Sequence, residues 1–396
     1  MLRGTLTALA LLLCVTLSAQ VTEHAIIEAD TVAYTYTPID QATDAQMGSQ
    51  GLGLRLNRYL TLSADDPRRV KFSAVGAPAY SENTGWRLSA VATMHYRTPR
   101  VTTPHSLSLR AMASLKGCYT LMLDGVNQLD DGRHRFTYGG SFGFEPTYIY
   151  GLDFATSLEN RRGEYTSQRF SGYFSYNYRL TNNLTIGVSA DYLHDDIRRM
   201  DERAEAIIGT LESRYSGAGV GVNLSYSTCR TEDVNKRRGL YLHIAYMMRP
   251  KMLGTYGHTL HTVSITFDYY QPLWRGGLLA LDIYGEHHSD NTTWMLRGEL
   301  GGENRMRGYY RGRFNGNSLA AVQLELRQRV WEGLVVAGWG GCGTALSKGD
   351  IAAWSKLLPT YGVGLRWYFS PTSLVRVDYG MGKGCSAFVV GYTEAF

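Results

Sequence analysis

The sequence predicts an all-β, transmembrane antiparallel β-barrel of the kind found in Gram-negative outer membranes. Three observations predict it: an export signal at the start, long runs of period-two alternation, and a final strand that stops on an aromatic residue, Phe396.

The export signal comes first in the chain. Arg3 supplies a positive n-region, residues 6–17 are mostly apolar, and Ser18-Ala19 offers small residues for cleavage before Gln20. The apolar stretch is shorter than the ~20 residues a spanning helix needs, so residues 1–19 read as a signal peptide and play no part in the fold. No later segment has the apolar length of a transmembrane helix.

Composition points the same way. The 396 residues include 44 Gly and 28 Tyr but only 10 Pro, and mean hydropathy is slightly polar. Strands that alternate lipid-facing apolar residues with lumen-facing polar ones keep the average low, and tyrosines suit the aromatic girdles at the two interfaces. The net charge of +5 comes without a long basic run, which excludes nucleic acid as a partner. Of the five cysteines, Cys118, Cys229, Cys342 and Cys385 follow the signal. They lack CxxC or metal-ligand spacing, so free thiols fit better than a disulfide, which an oxidising periplasm would permit, and no metal and no cofactor is implied.

Residues 20–84 are polar and lack sustained alternation. They read as a periplasmic arm or plug, which leaves 85–396 for the barrel. From Gly85 onward, period-two segments alternate with turn residues. In Thr262 to Asp268, Val263, Ile265 and Phe267 take one face while Thr262, Ser264, Thr266 and Asp268 take the other. Leu324 and Leu326 alternate with Gln323, Glu325 and Arg327, and Val363, Leu365 and Trp367 alternate with Gly362, Gly364 and Arg366. Short turns (180–183, 330–333, 369–373) and long loops (200–213, 344–358) occur together, as in barrels with short periplasmic turns and longer external loops. Fifteen strands can be drawn: 86–96, 105–114, 118–126, 133–144, 167–179, 184–194, 215–228, 239–249, 260–271, 277–287, 318–329, 333–343, 360–369, 373–380 and 386–395. A bacterial barrel has an even number, so a sixteenth is expected at Val70 to Tyr80, Ala206 to Leu211 or Trp294 to Leu300.

Two motifs carry functional meaning. In the last strand, Phe388, Val390, Tyr392 and Phe396 fall on one face beside Gly391. Such a strand suits recognition by the barrel-assembly machinery, through its backbone edge and alternate aromatics. The second motif runs from Leu300 to Asn317. It is Gly-rich and basic, and Gly301, Gly302 and Gly308 allow tight turns. From composition alone it suits either an arginine folded into the lumen or a solvated outer loop.

The stretch from Gly301 to Phe396 resembles the barrel of the bacterial surface antigen superfamily, the BamA/TamA-type outer-membrane assembly factors. The resemblance rests on Leu300-Gly-Gly, then Arg307-Gly308-Tyr309, then Glu325-Leu326-Arg327. Gly362-x-Gly364-x-Arg366, Arg376-x-Asp378-Tyr379-Gly380 and Phe396 continue it. It implies ~16 strands and a loop folded into the lumen with Arg307, Gly308 and Tyr309 as its lock. It also implies insertion or translocation of polypeptides through a weak seam between first and last strands. Residues 20–84 do not read as a polypeptide-transport-associated domain, so the likeness is to a short form. Gly341 stands where the family has the aspartate that pairs with the loop arginine. Glu325 and Asp378 both point inward by alternation, and one of them is the expected partner of Arg307, because an unpaired buried charge is costly.

The resemblance thus implies no enzyme and no catalytic residue. Its expected partners are outer-membrane lipid, the barrel-assembly machinery and client polypeptides. Two other classes fit the residues: a passive pore lined by Asp268, Asp282, Glu286, Arg327 and Arg366, and a barrel-rim hydrolase using His194 with Asp195 or His287-His288 with Asp290. No G-x-S-x-G motif occurs.

Overall fold

A computed structural model describes residues 70–81, 85–97, 105–129, 132–159, 161–233, 236–331, 333–347, 349–350, 354–370, 373–391 and 394–396. Residues 1–69, which include the expected signal peptide and most of the expected arm or plug, lie outside the described residues.

Sixteen strands build one antiparallel wall. They are β1 (Val70–Ser81), β2 (Gly85–Tyr96), β3 (His105–Ser114), β4 (Tyr119–Gln128), β5 (His134–Ile149), β6 (Gly163–Arg179), β7 (Leu184–Met200) and β8 (Arg214–Ser227). They continue as β9 (Lys236–Arg249), β10 (Leu260–Trp274), β11 (Gly277–His288), β12 (Ser318–Trp331), β13 (Leu334–Leu346), β14 (Leu358–Ser370), β15 (Ser373–Gly382) and β16 (Cys385–Gly391). Each strand pairs antiparallel with the next in sequence.

The missing strand is Val70–Ser81, in full register with β2. The barrel therefore begins at Val70, not at residue 85. Small residues and Pro78 blur the alternation of β1, and a proline without an amide donor fits an edge position. The other two candidates are not wall strands. Helix α2 (Glu202–Ile208) takes the first half of 206–211, while Trp294–Leu296 is a 3₁₀ turn and Gly298–Leu300 a short strand inside a loop.

Alternation sorts the wall into two faces. In β12, Leu324 and Leu326 are 45% and 40% exposed while Gln323 and Glu325 are 2% and 0% exposed. The first pair faces lipid and the second faces the lumen. Outward Trp274, Trp331 and Trp367 lie near short turns, and Tyr192, Tyr246 and Tyr361 lie toward the opposite rim, as two aromatic girdles require. The connections at one end, including 180–183, 275–276 and 371–372, are mostly short, and the longest loops, 150–162, 201–213 and 289–317, lie at the other. The longest, residues 289–317 between β11 and β12, folds back into the barrel.

That inward loop makes the main apolar core. Leu300, Met306, Tyr309 and Phe314 pack with Leu319, Ala345 and Leu358 of the wall and with Phe154 of helix α1 (Phe154–Leu158). The long-loop rim closes over it. Trp294 Nε1 donates to Glu212 O at 2.9 Å, Arg297 donates to Leu152 O at 3.1 Å, and Asn315 donates to Gly151 O at 2.8 Å. Beside the loop a polar cavity of about 730 Å³ remains. It reaches Arg133 and Asn183 at the short turns and ends under Arg297 and Tyr310.

The last strand departs from expectation. It stops at Gly391, and Phe396 is 8% exposed inside the barrel. The physical reason is a better set of partners in the lumen: Phe396 stacks on Tyr270 at 6.5 Å, and Glu394 reaches two arginines.

Candidate functional site

The loop places Arg307 at the centre of the lumen, against the inner faces of β12 to β15. Its guanidinium is fully buried. Nη2 meets Glu325 at 2.6 Å and Nη1 meets Asp378 at 2.7 Å. Both expected acids are its partners, so the two candidates act together. The indole of Trp339 covers the guanidinium face at 3.6 Å, and a desolvated cation–π contact of this kind contributes about 2 kcal/mol.

Each acid serves several arginines. Glu325 also meets Arg327 at 2.7 Å and Arg366 at 3.0 Å, while Asp378 also meets Arg366 at 2.5 Å and Arg376 at 2.9 Å. Arg305, two residues before Arg307, clamps Asp282 of β11 through Nε and Nη2, both at 2.9 Å. Arg376 holds the loop by donating to the Glu303 backbone O at 3.0 Å and to the Asn304 side-chain Oδ1 at 3.1 Å. The charges are buried but mutually paired, which meets the condition for keeping them out of water.

Backbone fit is equally specific. Gly308 has φ +109°, a conformation side chains rarely adopt. A Cβ there would lie 2.8 Å from Gly380 C and Met381 N, and one on Gly380 would lie 2.6 Å from Arg307 C. Two glycines therefore let the loop touch the wall backbone to backbone. Thr360 Oγ1 donates to Arg307 O at 2.7 Å. The Tyr309 hydroxyl donates to Pro359 O at 2.7 Å and accepts from Lys383 N at 2.6 Å. Burial pushes its pKa up, which keeps the donor proton in place.

Gly341 also has an explanation. It faces inward, and a Cβ would strike Val322 O and the Gln323 backbone. Strands β12 and β13 approach too closely there for an aspartate. Asp378 and Glu325 take over the role, with Trp339 stacked on the arginine.

The structure brings Arg307, Gly308 and Tyr309 together with both Glu325 and Asp378, where the sequence predicts one of the two acids. Sequence reasoning did not assign Arg305, Asp282, Trp339, Arg376 or Glu394 to the site. Inward alternation of Asp282 and Arg376 was the available signal. Of the last-strand residues, Phe388 is 71% exposed and contacts Tyr379 at 4.7 Å between ring centres. Val390 and Gly391 are buried, and Tyr392 lies outside the described residues. Phe388 and Phe396 therefore do not share a face: Phe388 is exposed and Phe396 has turned into the lumen. The rim histidines have other partners: Asp195 pairs with Arg169 and His194 with Ser216, while His288 meets Glu286 and Thr262.

No protein-family model matches the chain, and no curated protein is similar in sequence. Solved structures share its fold. BamA from Haemophilus ducreyi lacking POTRA domains 1–3 matches with a TM-score of 0.52 and 13% identity, over 89% of this chain and 82% of that one. CdiB from Acinetobacter baumannii matches at 0.54 and 14% identity, over 82% and 60%. CdiB from Escherichia coli matches at 0.56 and 13%, over 84% and 62%. The chain thus spans about three fifths of either CdiB. At such identities the likeness is one of fold: this chain is a sixteen-stranded β-barrel that shares the barrel fold of these BamA and CdiB structures.

Proposed function

We propose that this barrel resides in the outer membrane of a Gram-negative cell and inserts or translocates polypeptides there. The observation that carries the reading is the seam of the wall. β16 has seven residues and is the shortest of the sixteen strands, whereas β1 on the other side of the seam has twelve. Pairing runs unbroken from β1 to β16, and among the described residues no ladder joins β16 back to β1. A weak seam is where a client strand can add by β-augmentation. The loop lock braces the wall at β12 to β15 and leaves the seam as the part that yields. Lipid contacts the apolar belt, and the barrel-assembly machinery is the partner expected during biogenesis.

A passive pore fits less well, because the long-loop rim and the inward loop roof the polar cavity. Depletion in the native cell, followed by mass spectrometry of outer-membrane proteins, tests the reading. Loss of several barrel or secreted proteins supports it. An unchanged protein profile with altered uptake of small solutes would replace it with the pore.

A further inference from the structure

The ion network that holds the loop also holds the segment after the last strand. Glu394 Oε2 lies 3.4 Å from Arg366 Nε and 3.5 Å from Arg327 Nη2, and its other oxygen accepts from Tyr368. Arg327 donates to Phe396 O at 3.3 Å and stands over the Phe396 ring at 5.2 Å. Phe396 and Ala395 are buried with Tyr270, Leu278 and Ala280. Arg327 and Arg366 are the two guanidiniums that share Glu325 with Arg307. An unbroken chain of contacts runs from the loop tip to the tail.

We propose that this network couples the two: docking of the loop at Arg307 stabilises the inward seating of Glu394–Phe396, and the reverse. Charge gives the sign. In the wall, Arg327, Arg366 and Arg376 balance Asp282, Glu325 and Asp378, a sum of zero. The loop brings Arg305 and Arg307, or +2, and the tail brings Glu394, or −1. With the loop docked, Glu394 enters a buried field of +2. With the loop released, it enters a field of zero. Counting the buried Asp268 as well lowers both sums by one and leaves their difference unchanged. The tail is thus held more firmly when the loop is in. Its release would free the end of β16 at the seam, so the coupling regulates the site of the proposed function. Only that use rests on the polypeptide reading; the coupling itself does not.

The test uses purified full barrel in detergent micelles. Cys118, Cys229, Cys342 and Cys385 are free thiols and are first replaced by serine or alanine. Two buried reporters, M306C in the loop and A395C in the tail, are alkylated with a charged maleimide, so that the rate reads local opening. E394Q should speed alkylation of M306C, and R307Q should speed alkylation of A395C. Couplings of this kind run from about 5-fold to 150-fold, and reciprocity requires the two factors to agree. Heat-modifiable gel migration checks that each variant is folded. If R307Q does not fold, R305Q removes a loop charge without touching Glu325 and replaces it. A change below threefold in either cross-measurement overturns the proposal. Because no client is present, that result leaves the polypeptide reading standing, and depletion data cannot decide the coupling.

Discussion

Replacing Arg307 by alanine isolates the loop lock. The side chain makes two buried ion pairs, at 2.6 Å to Glu325 and 2.7 Å to Asp378, and one stacked contact with Trp339. Breaking a buried pair costs about 3–5 kcal/mol when the partner is left uncompensated. Here each acid keeps two other guanidiniums, so the loss should fall at the low end, about 3 kcal/mol. At 1.4 kcal/mol per tenfold, docking weakens by roughly 150-fold. Trypsin reads this directly, because Arg305, Arg311 and Arg313 remain as cleavage sites in the loop. Their cleavage in the folded barrel, followed by mass spectrometry, should accelerate by about two orders of magnitude. Glu325→Gln provides the internal comparison. Glu325 gives the loop one ion pair, while Arg307 makes two and a stacked contact, so the loss of Glu325 should accelerate cleavage, but less than the loss of Arg307. If R307A changes the rate less than threefold, or E325Q leaves it unchanged, a paired-charge lock is not what holds the loop.

Three further outcomes follow from the same geometry. Trp339→Leu removes about 2 kcal/mol of cation–π attraction and should speed loop cleavage some tenfold to thirtyfold, whereas Trp339→Phe should change it less. Gly380→Ala puts a Cβ 2.6 Å from Arg307 C and should undock the loop while all charges stay in place, seen as faster cleavage in a barrel of normal heat modifiability. Deleting residues 301–313 should raise single-channel conductance in planar bilayers well above that of the intact chain, because the loop fills the lumen. Equal conductance would show that the loop does not close the path.

Much of this barrel was readable because its physics is local. The faces of β10, β12 and β14 follow from alternation, and a lipid-facing residue such as Leu324 differs from an inward one such as Glu325 in one-dimensional pattern alone. The lock triplet was readable through a motif, and the inward direction of its acids through register. Three things were not. β1 was obscured because small residues and Pro78 erase the alternation at an edge. The extended ends of β5, β6 and β7, at 145–149, 163–166 and 195–200, carry polar side chains among their apolar ones and hide the period. The inward turn of Phe396 depends on Arg327 and Arg366, brought together by β12 and β14 meeting around a buried carboxylate. A terminal aromatic reads the same whether it faces lipid or lumen; only the three-dimensional charge balance distinguishes them.

The contact between Gly308 and Gly380 has a consequence for how such chains diverge. Neither position can gain a methyl group while the other keeps its place, although 72 residues separate them in sequence. Substitution at one is harmless only in a lineage that has already given up the docked loop. Across divergent barrels of this shape, the two glycines should therefore be kept or lost as a pair. Their joint presence would mark a locked loop even where the surrounding arginines and acids have been exchanged.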